Sequence, residues 1–344
     1  KNGLKSWDNP INETLKSATV NVAKFIKNEK LIIGTGNRGI FILDLKTNSF
    51  KNIERGNVLM NNSVLSLGLD QENDLWVGLD NGIAHVEVNS PISFFYDNSG
   101  LLGSVYAVAA INKGYLIASN HGIFEYSAGK FNMMPNTQGQ GWNISLIDGK
   151  YIIGHNDGTF SYQDNTLNKI NGVSGGWNMA KSSINNTYFQ STYSGILVYD
   201  DPSNMSQYKI IKDLAKPIKY VAQNKKNEIW AADNYRGLYR VSLDDNYNTL
   251  KVENVTQQSK IQNDFGIKIF EFRKEILFLI NNTWFTYNAI AAKLEENELF
   301  NTSFKNVTDV VSIDEDHFMV LQNGILYHIY AEGNKFVWNI IQEK

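Results

Sequence analysis

Three features of the sequence predict an all-β protein built from repeated four-stranded units. Short β-branched and aromatic runs alternate with Asn, Asp and Gly clusters, one strand-turn-strand motif recurs eight times, and the copies are about 40 residues apart. The first copy runs from Leu31-Ile-Ile-Gly through Arg38-Gly39 to Ile40-Phe-Ile-Leu43. The second runs from Leu75-Trp-Val-Gly through Asn81-Gly82 to Ile83-Ala-His-Val86. Tyr115-Leu-Ile-Ala with Gly122, Tyr151-Ile-Ile-Gly with Gly158, Tyr188-Phe-Gln-Ser with Gly195 and Ile229-Trp-Ala-Ala with Gly237 follow. Ile276-Leu-Phe-Leu-Ile leads through Asn281-Asn282 to Trp284-Phe-Thr-Tyr287, a degenerate copy without Gly, and Phe318-Met-Val-Leu with Gly324 is the eighth.

From Gly39 to Gly237 the steps are 43, 40, 36, 37 and 42 residues, and the last step of 87 residues to Gly324 spans two units. Each unit also supplies flanking strands, such as Val64-Leu-Ser-Leu before the second copy and Ile92-Ser-Phe-Phe-Tyr96 after it. Gly in the turn provides the positive φ that a tight hairpin needs. Runs such as Leu31–Gly34 and Ile276–Ile280 lack alternation, as befits strands covered on both faces. One twisted sheet cannot bury both of its faces alone, so such units stack radially as the blades of a β-propeller. Eight four-stranded blades over residues 18–344 are expected, after a lead-in of residues 1–17. Seven would result if the first copy packed on a neighbouring domain. A β-sandwich would not repeat one motif at a steady interval.

The ends and one insertion carry their own expectations. Phe336-Val-Trp-Asn-Ile-Ile341 reads as the outer strand of the last blade, which leaves Leu4-Lys-Ser-Trp7 as an accessory segment. Ala289–Leu299 (Ala-Ile-Ala-Ala-Lys-Leu-Glu-Glu-Asn-Glu-Leu) has helical composition and reads as an exposed insertion.

Composition narrows the function. Of 344 residues 42% are hydrophobic and 19% charged, a globular balance. A net charge of −3 argues against a nucleic-acid-binding surface. Cysteine is absent, which removes disulfides, thiolate nucleophiles and cysteine metal sites and suits an extracytoplasmic setting. The most apolar stretch, Leu101–Ala118, is interrupted by Asn112 and Lys113 and is too short for a span. The chain begins without Met, so a mature or excised fragment is expected, with any membrane anchor outside it.

Asp70-Gln-Glu-Asn-Asp-Leu-Trp-Val-Gly-Leu-Asp-Asn-Gly-Ile83, preceded by Asn62-Ser-Val-Leu-Ser66, resembles the two-component-regulator propeller repeat. That repeat has an acidic turn, then Leu-Trp-Ile/Val-Gly-Thr, then Asn-Gly-Leu/Ile. Lys226-Asn-Glu-Ile-Trp-Ala231 with Tyr235-Arg-Gly-Leu-Tyr239 is a second good copy and Leu31–Leu43 a third. The resemblance implies an extracytoplasmic, periplasmic sensor domain of a membrane-anchored regulator, a hybrid histidine kinase or a helix-turn-helix regulator. It implies signalling domains of the same polypeptide outside this chain, and signals that are often glycan fragments.

Chemistry on a propeller gathers at the channel mouth, where loops entering the inner strands meet the hairpins between second and third strands. Gly141-Trp142-Asn143 and Gly176-Trp177-Asn178 occupy the same entering position in adjacent repeats. Two indoles there would form a stacking platform for a sugar ring, with Asn143 and Asn178 as hydrogen-bond partners. The hairpins add Arg38, His121, Asn156, Tyr193, Tyr235 and Arg236, and a guanidinium there suits a carboxylate or sulfate. His121 and His155 with Asp157 fall short of a metal site, so no metal and no cofactor is expected. No nucleophile elbow, phosphate loop or paired-carboxylate motif is present, and no catalytic residue is assigned. The expected function is binding of a small molecule or oligosaccharide without turnover. A protein-interaction or homodimerisation propeller is the alternative reading, and a carbohydrate-active enzyme a third.

Overall fold

Each strand-turn-strand copy folds as the second and third strands of an antiparallel sheet, and the chain before and after it adds the first and fourth. In this computed structural model, which describes residues 7–342 apart from 28, 56–58, 91–96, 98, 113 and 128, eight such sheets follow one another. Seven have four strands in sequential order. The second has three, Val64–Leu69, Leu75–Leu79 and Ile83–Val86, and the expected fourth run Ile92–Tyr96 lies outside the described residues. The sheets are the eight blades of a β-propeller. Blade 1 comprises Val20–Ile26, Lys30–Thr35, Ile40–Asp44 and Phe50–Ile53. The first strands of blades 3 to 8 are Val105–Ile111, Gly141–Ile147, Asn178–Lys181, Ile218–Lys225, Lys268–Phe272 and Val307–Ser312.

The chain divides into two compact units, Lys1–Asn98 with blades 1 and 2 and Ser99–Lys344 with blades 3 to 8. In the first unit, the two sheets share a seam of Ile26, Ile32, Ile40, Val64, Leu75 and Val77. A short helix, Ile11–Leu15, places the fully buried Ile11 against Ile33, Phe41 and Leu43 of blade 1. In the second unit the first strands of consecutive blades lie side by side. Every successive pair of its sheets shares an apolar seam. Leu116 and Ile153 lie between blades 3 and 4, Ile152 and Leu197 between 4 and 5, and Val198 and Ile229 between 5 and 6. Trp230 meets Phe278 between blades 6 and 7, and Phe270 meets Phe318 between 7 and 8. Burying one such side chain stabilises by roughly 1.5–3 kcal/mol, so a blade draws its stability from its neighbours.

Lys335–Gln342 is the outer strand of blade 8, as the sequence predicts, and residues 7–10 belong to no strand. The remainder of the N-terminal segment Leu4–Trp7 lies outside the described residues. The insertion at Ala289–Leu299 differs from expectation. Residues 289–292 form a turn, Lys293–Glu296 is the fourth strand of blade 7, and the helix begins only at Glu298 and ends at Ser303. Asn288 Oδ1 accepts the N–H groups of Ile290 and Ala291, and Ala292 takes φ +51°, which closes a hairpin where composition favours a helix. No helix among the described residues is long and apolar enough to cross a membrane.

Candidate aromatic binding site

In six blades, 1 to 4, 6 and 8, the first strand enters its sheet through a register shift that leaves one residue unpaired. In blade 4, Gly141 pairs with His155 and Asn143 with Gly154, so Trp142 is the extra residue of a bulge. Tyr106 is the extra residue in blade 3, between Val105 and Ala107. In blade 5, Trp177 holds the equivalent place, just before Asn178, which pairs with Ser191. Three consecutive blades thus present Tyr106, Trp142 and Trp177 at one structural position.

These rings meet. Tyr106 lies 4.6 Å from Trp142 at 34°, and Trp142 lies 6.3 Å from Trp177 at 78°. Tyr193, from the hairpin of blade 5, packs 4.6 Å from Trp177. Edge-to-face packing is favourable between aromatic rings. At 78° the two indoles do not form the flat stacking platform that the sequence suggests. Trp142 Nε1 donates to Asn156 Oδ1 (2.9 Å) and Tyr193 OH (3.0 Å), and Tyr193 OH donates to the same Oδ1 (2.6 Å). Asn156 Nδ2 donates to Gln140 Oε1 (3.2 Å). Burial raises the Tyr193 hydroxyl above its ordinary range, the Trp142 bond opposes this, and the nearby Tyr106 and Tyr235 hydroxyls add to it.

Backbone conformation makes room for the cluster. Gly175 has φ +80°, and a Cβ there would lie 2.3 Å from the Tyr193 ring. Its N–H donates to the His155 carbonyl (3.1 Å), which ties blade 4 to the loop entering blade 5. Between blades 4 and 5, the fully buried Tyr199 donates to Gln190 Oε1 (2.7 Å), Thr159 donates to the same oxygen (2.9 Å), and Asn171 Nδ2 donates to Tyr199 OH (3.0 Å).

Of the residues singled out in the sequence, Trp142, Trp177, Asn156 and Tyr193 come together, with the exposed Tyr235 close enough to influence Tyr193. The others have local partners. His121 Nδ1 lies 2.9 Å from the Leu101 carbonyl, Asn143 Oδ1 accepts from Ser145 (2.8 Å), and Asn178 Oδ1 accepts from the Met179 N–H (2.9 Å). Arg236 donates to Asp264 (2.7 Å) and to the Gln262 carbonyl (3.0 Å). Its guanidinium is therefore already paired with a carboxylate. Arg38 belongs to the first unit, where it donates to Ser17 (2.9 Å). His155 engages both ring nitrogens with backbone groups, at 3.2 Å from Thr137 O and 3.0 Å from Asp157 N. Among the described residues no group of His, Asp and Glu could hold a metal ion. A cavity of about 240 Å³ lies elsewhere, between blade 4 and the segment 202–206 of blade 5, lined by Lys150, Ser161, Asn168 and Met205 among others.

Sequence reading missed Tyr106 and Gln140. Tyr106 would have emerged from aligning the first strands, but it is flanked by Val and Ala where the two tryptophans have Gly and Asn.

No protein-family model matches the chain, and no curated protein matches it. Solved structures do share its fold. The extracellular domain of a candidate one-component system of B. thetaiotaomicron superposes with a TM-score of 0.53 at 15% identity, over 93% of this chain and 48% of that one. The extracellular domain of a candidate hybrid two-component system of the same organism gives 0.43 at 15%, over 94% and 51%. The WD40 β-propeller domain of Doa1 gives 0.39 at 11%, over 95% and 94%. The chain thus spans about half the length of the extracellular domains it resembles.

Proposed function

We propose that this propeller is an extracytoplasmic, periplasmic sensor domain that binds a small polar ligand, an oligosaccharide, and passes the signal to domains of the same polypeptide. The observation that carries the reading is the arc of Tyr106, Trp142 and Trp177 at equivalent positions of three consecutive blades, a bulge in the first two, joined by Tyr193. Ring faces suit the C–H faces of a sugar at low conformational cost. The Trp142 N–H, the Tyr193 hydroxyl and the Asn156 amide are bonded to one another or to Gln140, so they fix the rings and leave hydroxyl recognition to the rim, where Tyr235 stands exposed. Arg236 is held by Asp264 and is not the recognition group in this reading. Binding proceeds without turnover, and a homodimer in the full receptor is compatible with it. A thermal-shift panel of oligosaccharides tests the reading, because a ligand at 100 times its dissociation constant adds about 2.7 kcal/mol. Calorimetry on Trp142→Ala and Trp177→Ala with any hit then locates the site. Undiminished affinity in both folded variants places the ligand elsewhere.

A further inference from the structure

Five blades share one device at the end of their second strand. The last residue of that strand accepts a backbone N–H from the hairpin that follows it. Thr35 Oγ1 accepts from Arg38 (2.9 Å), Ser119 Oγ from His121 (3.1 Å), Thr192 Oγ1 from Ser194 (3.2 Å) and Asp233 Oδ1 from Tyr235 (2.8 Å). In blade 4 the acceptor is His155 Nδ1, at 3.0 Å from the Asp157 N–H. Hydroxyls and carboxyls keep a lone pair for this bond across the physiological pH range. An imidazole loses its own on protonation, because a hydrogen then occupies Nδ1 where another N–H already points. The bond also fixes the tautomer: Nε2 carries the proton and donates to the Thr137 carbonyl (3.2 Å).

The hairpin held in this way carries the aromatic site. Asn156 is the next residue and is bonded to Trp142 and Tyr193, and the His155 carbonyl accepts the Gly175 N–H on which the Tyr193 ring packs. We infer that His155 is the positioning residue of the aromatic site and a proton-operated latch on it, whose protonation frees the turn at 156–158 and with it the clamp on Trp142 and Tyr193. The inference rests on the reading above only in taking this cluster as the ligand site.

His155 is fully buried, and the Phe160 ring stands edge-on to it at 5.5 Å. Burial holds the imidazole below its usual range. The Asp157 carboxylate and the Thr137 and Gly139 carbonyls oppose this, and Lys169 on the fourth strand reinforces it. The ring is therefore neutral at pH 7 and gains its proton only below the ordinary histidine range.

The other blades supply the control substitution, His155→Thr, which keeps an acceptor and removes the titration. Nuclear magnetic resonance of the ligand-free 344-residue chain reads the indole N–H of Trp142, assigned by its loss in Trp142→Phe. On acidification from pH 8 that resonance shifts in the natural sequence, with a midpoint below the ordinary histidine value and together with the His155 ring, and stays in place in His155→Thr. A resonance that does not move in the natural sequence, or that moves equally in the variant, overturns the latch. Should the variant not fold, the ring nitrogens of the natural sequence at pH 7.5 decide: a neutral ring with the proton on Nε2 supports the latch, and a charged ring or a proton on Nδ1 overturns it. No ligand enters this experiment, so its failure leaves the binding site standing, and failure of the calorimetry leaves the latch standing.

Discussion

Trp142 has a single polar atom, and both of its partners also bond each other. Asn156 Oδ1 accepts from the indole and from Tyr193, so removing the indole N–H leaves the Tyr193–Asn156 bond in place. Trp142→Phe should therefore cost about 1 kcal/mol in chemical denaturation, the worth of one net hydrogen bond, with the fold retained. Gly175→Ala should cost more, because it forces a Cβ into the left-handed region at φ +80° and against the Tyr193 ring. The backbone part alone is about 1–2 kcal/mol, and tyrosine displacement should show as altered near-ultraviolet circular dichroism. The pair of tryptophans was legible because Gly-Trp-Asn stands at the same point of adjacent repeats. What the residues face was not. The side chains of Asn143 and Asn178 have the same sequence credentials as Asn156 and yet bond to their own strands.

Second and third strands are the elements that the sequence shows best, since an apolar run, a turn glycine and another apolar run are all local signals. The bulges at Tyr106 and Trp142 have no local signal, because they depend on which residue of the second strand each first-strand residue meets. Ala289–Leu299 shows the opposite failure: a strong helical composition yields to a hairpin closed by Asn288 and to a fourth strand that completes blade 7. Between blades 4 and 5 lies a buried polar network. Burial pushes the Tyr199 hydroxyl up to about 12, partly offset by its bonds to Thr159 and Asn171, so it stays protonated as a donor to Gln190. Tyr199→Phe would strip Asn171 Nδ2 of its acceptor and Gln190 Oε1 of one donor. The expected loss is about 1–3 kcal/mol in denaturant unfolding, larger than for Trp142→Phe because the orphaned groups are sealed from water. A loss near zero would mean that the network is not closed in solution.

Across the whole chain, acid should act in two separable steps. Asp44 is held below the ordinary carboxylate range by the Thr47 and Lys46 N–H groups, Asp314 by the Asp316 N–H and by His317, and Asp201 by the Ser203 hydroxyl and N–H. A carboxyl depressed on folding stabilises above its unfolded value and loses that contribution as pH falls through the folded one, which places this step below about pH 4. His155 obeys the same sign at a higher pH. Its folded value is depressed, so below about 6.5 the unfolded chain binds the proton first and stability falls. One proton limits that slope to about 1.4 kcal/mol per pH unit. Thermal melts from pH 8 to 3 should thus show a first decline that begins near 6.5 and a second that sets in only in the carboxylate range. In His155→Thr the first decline should vanish while the second remains, since surface turns such as 44–47 and 314–317 are untouched by the substitution. If both declines persisted in the variant, the upper one would belong to another of the five histidines, and the buried ring of blade 4 would have no hold on the stability of the fold.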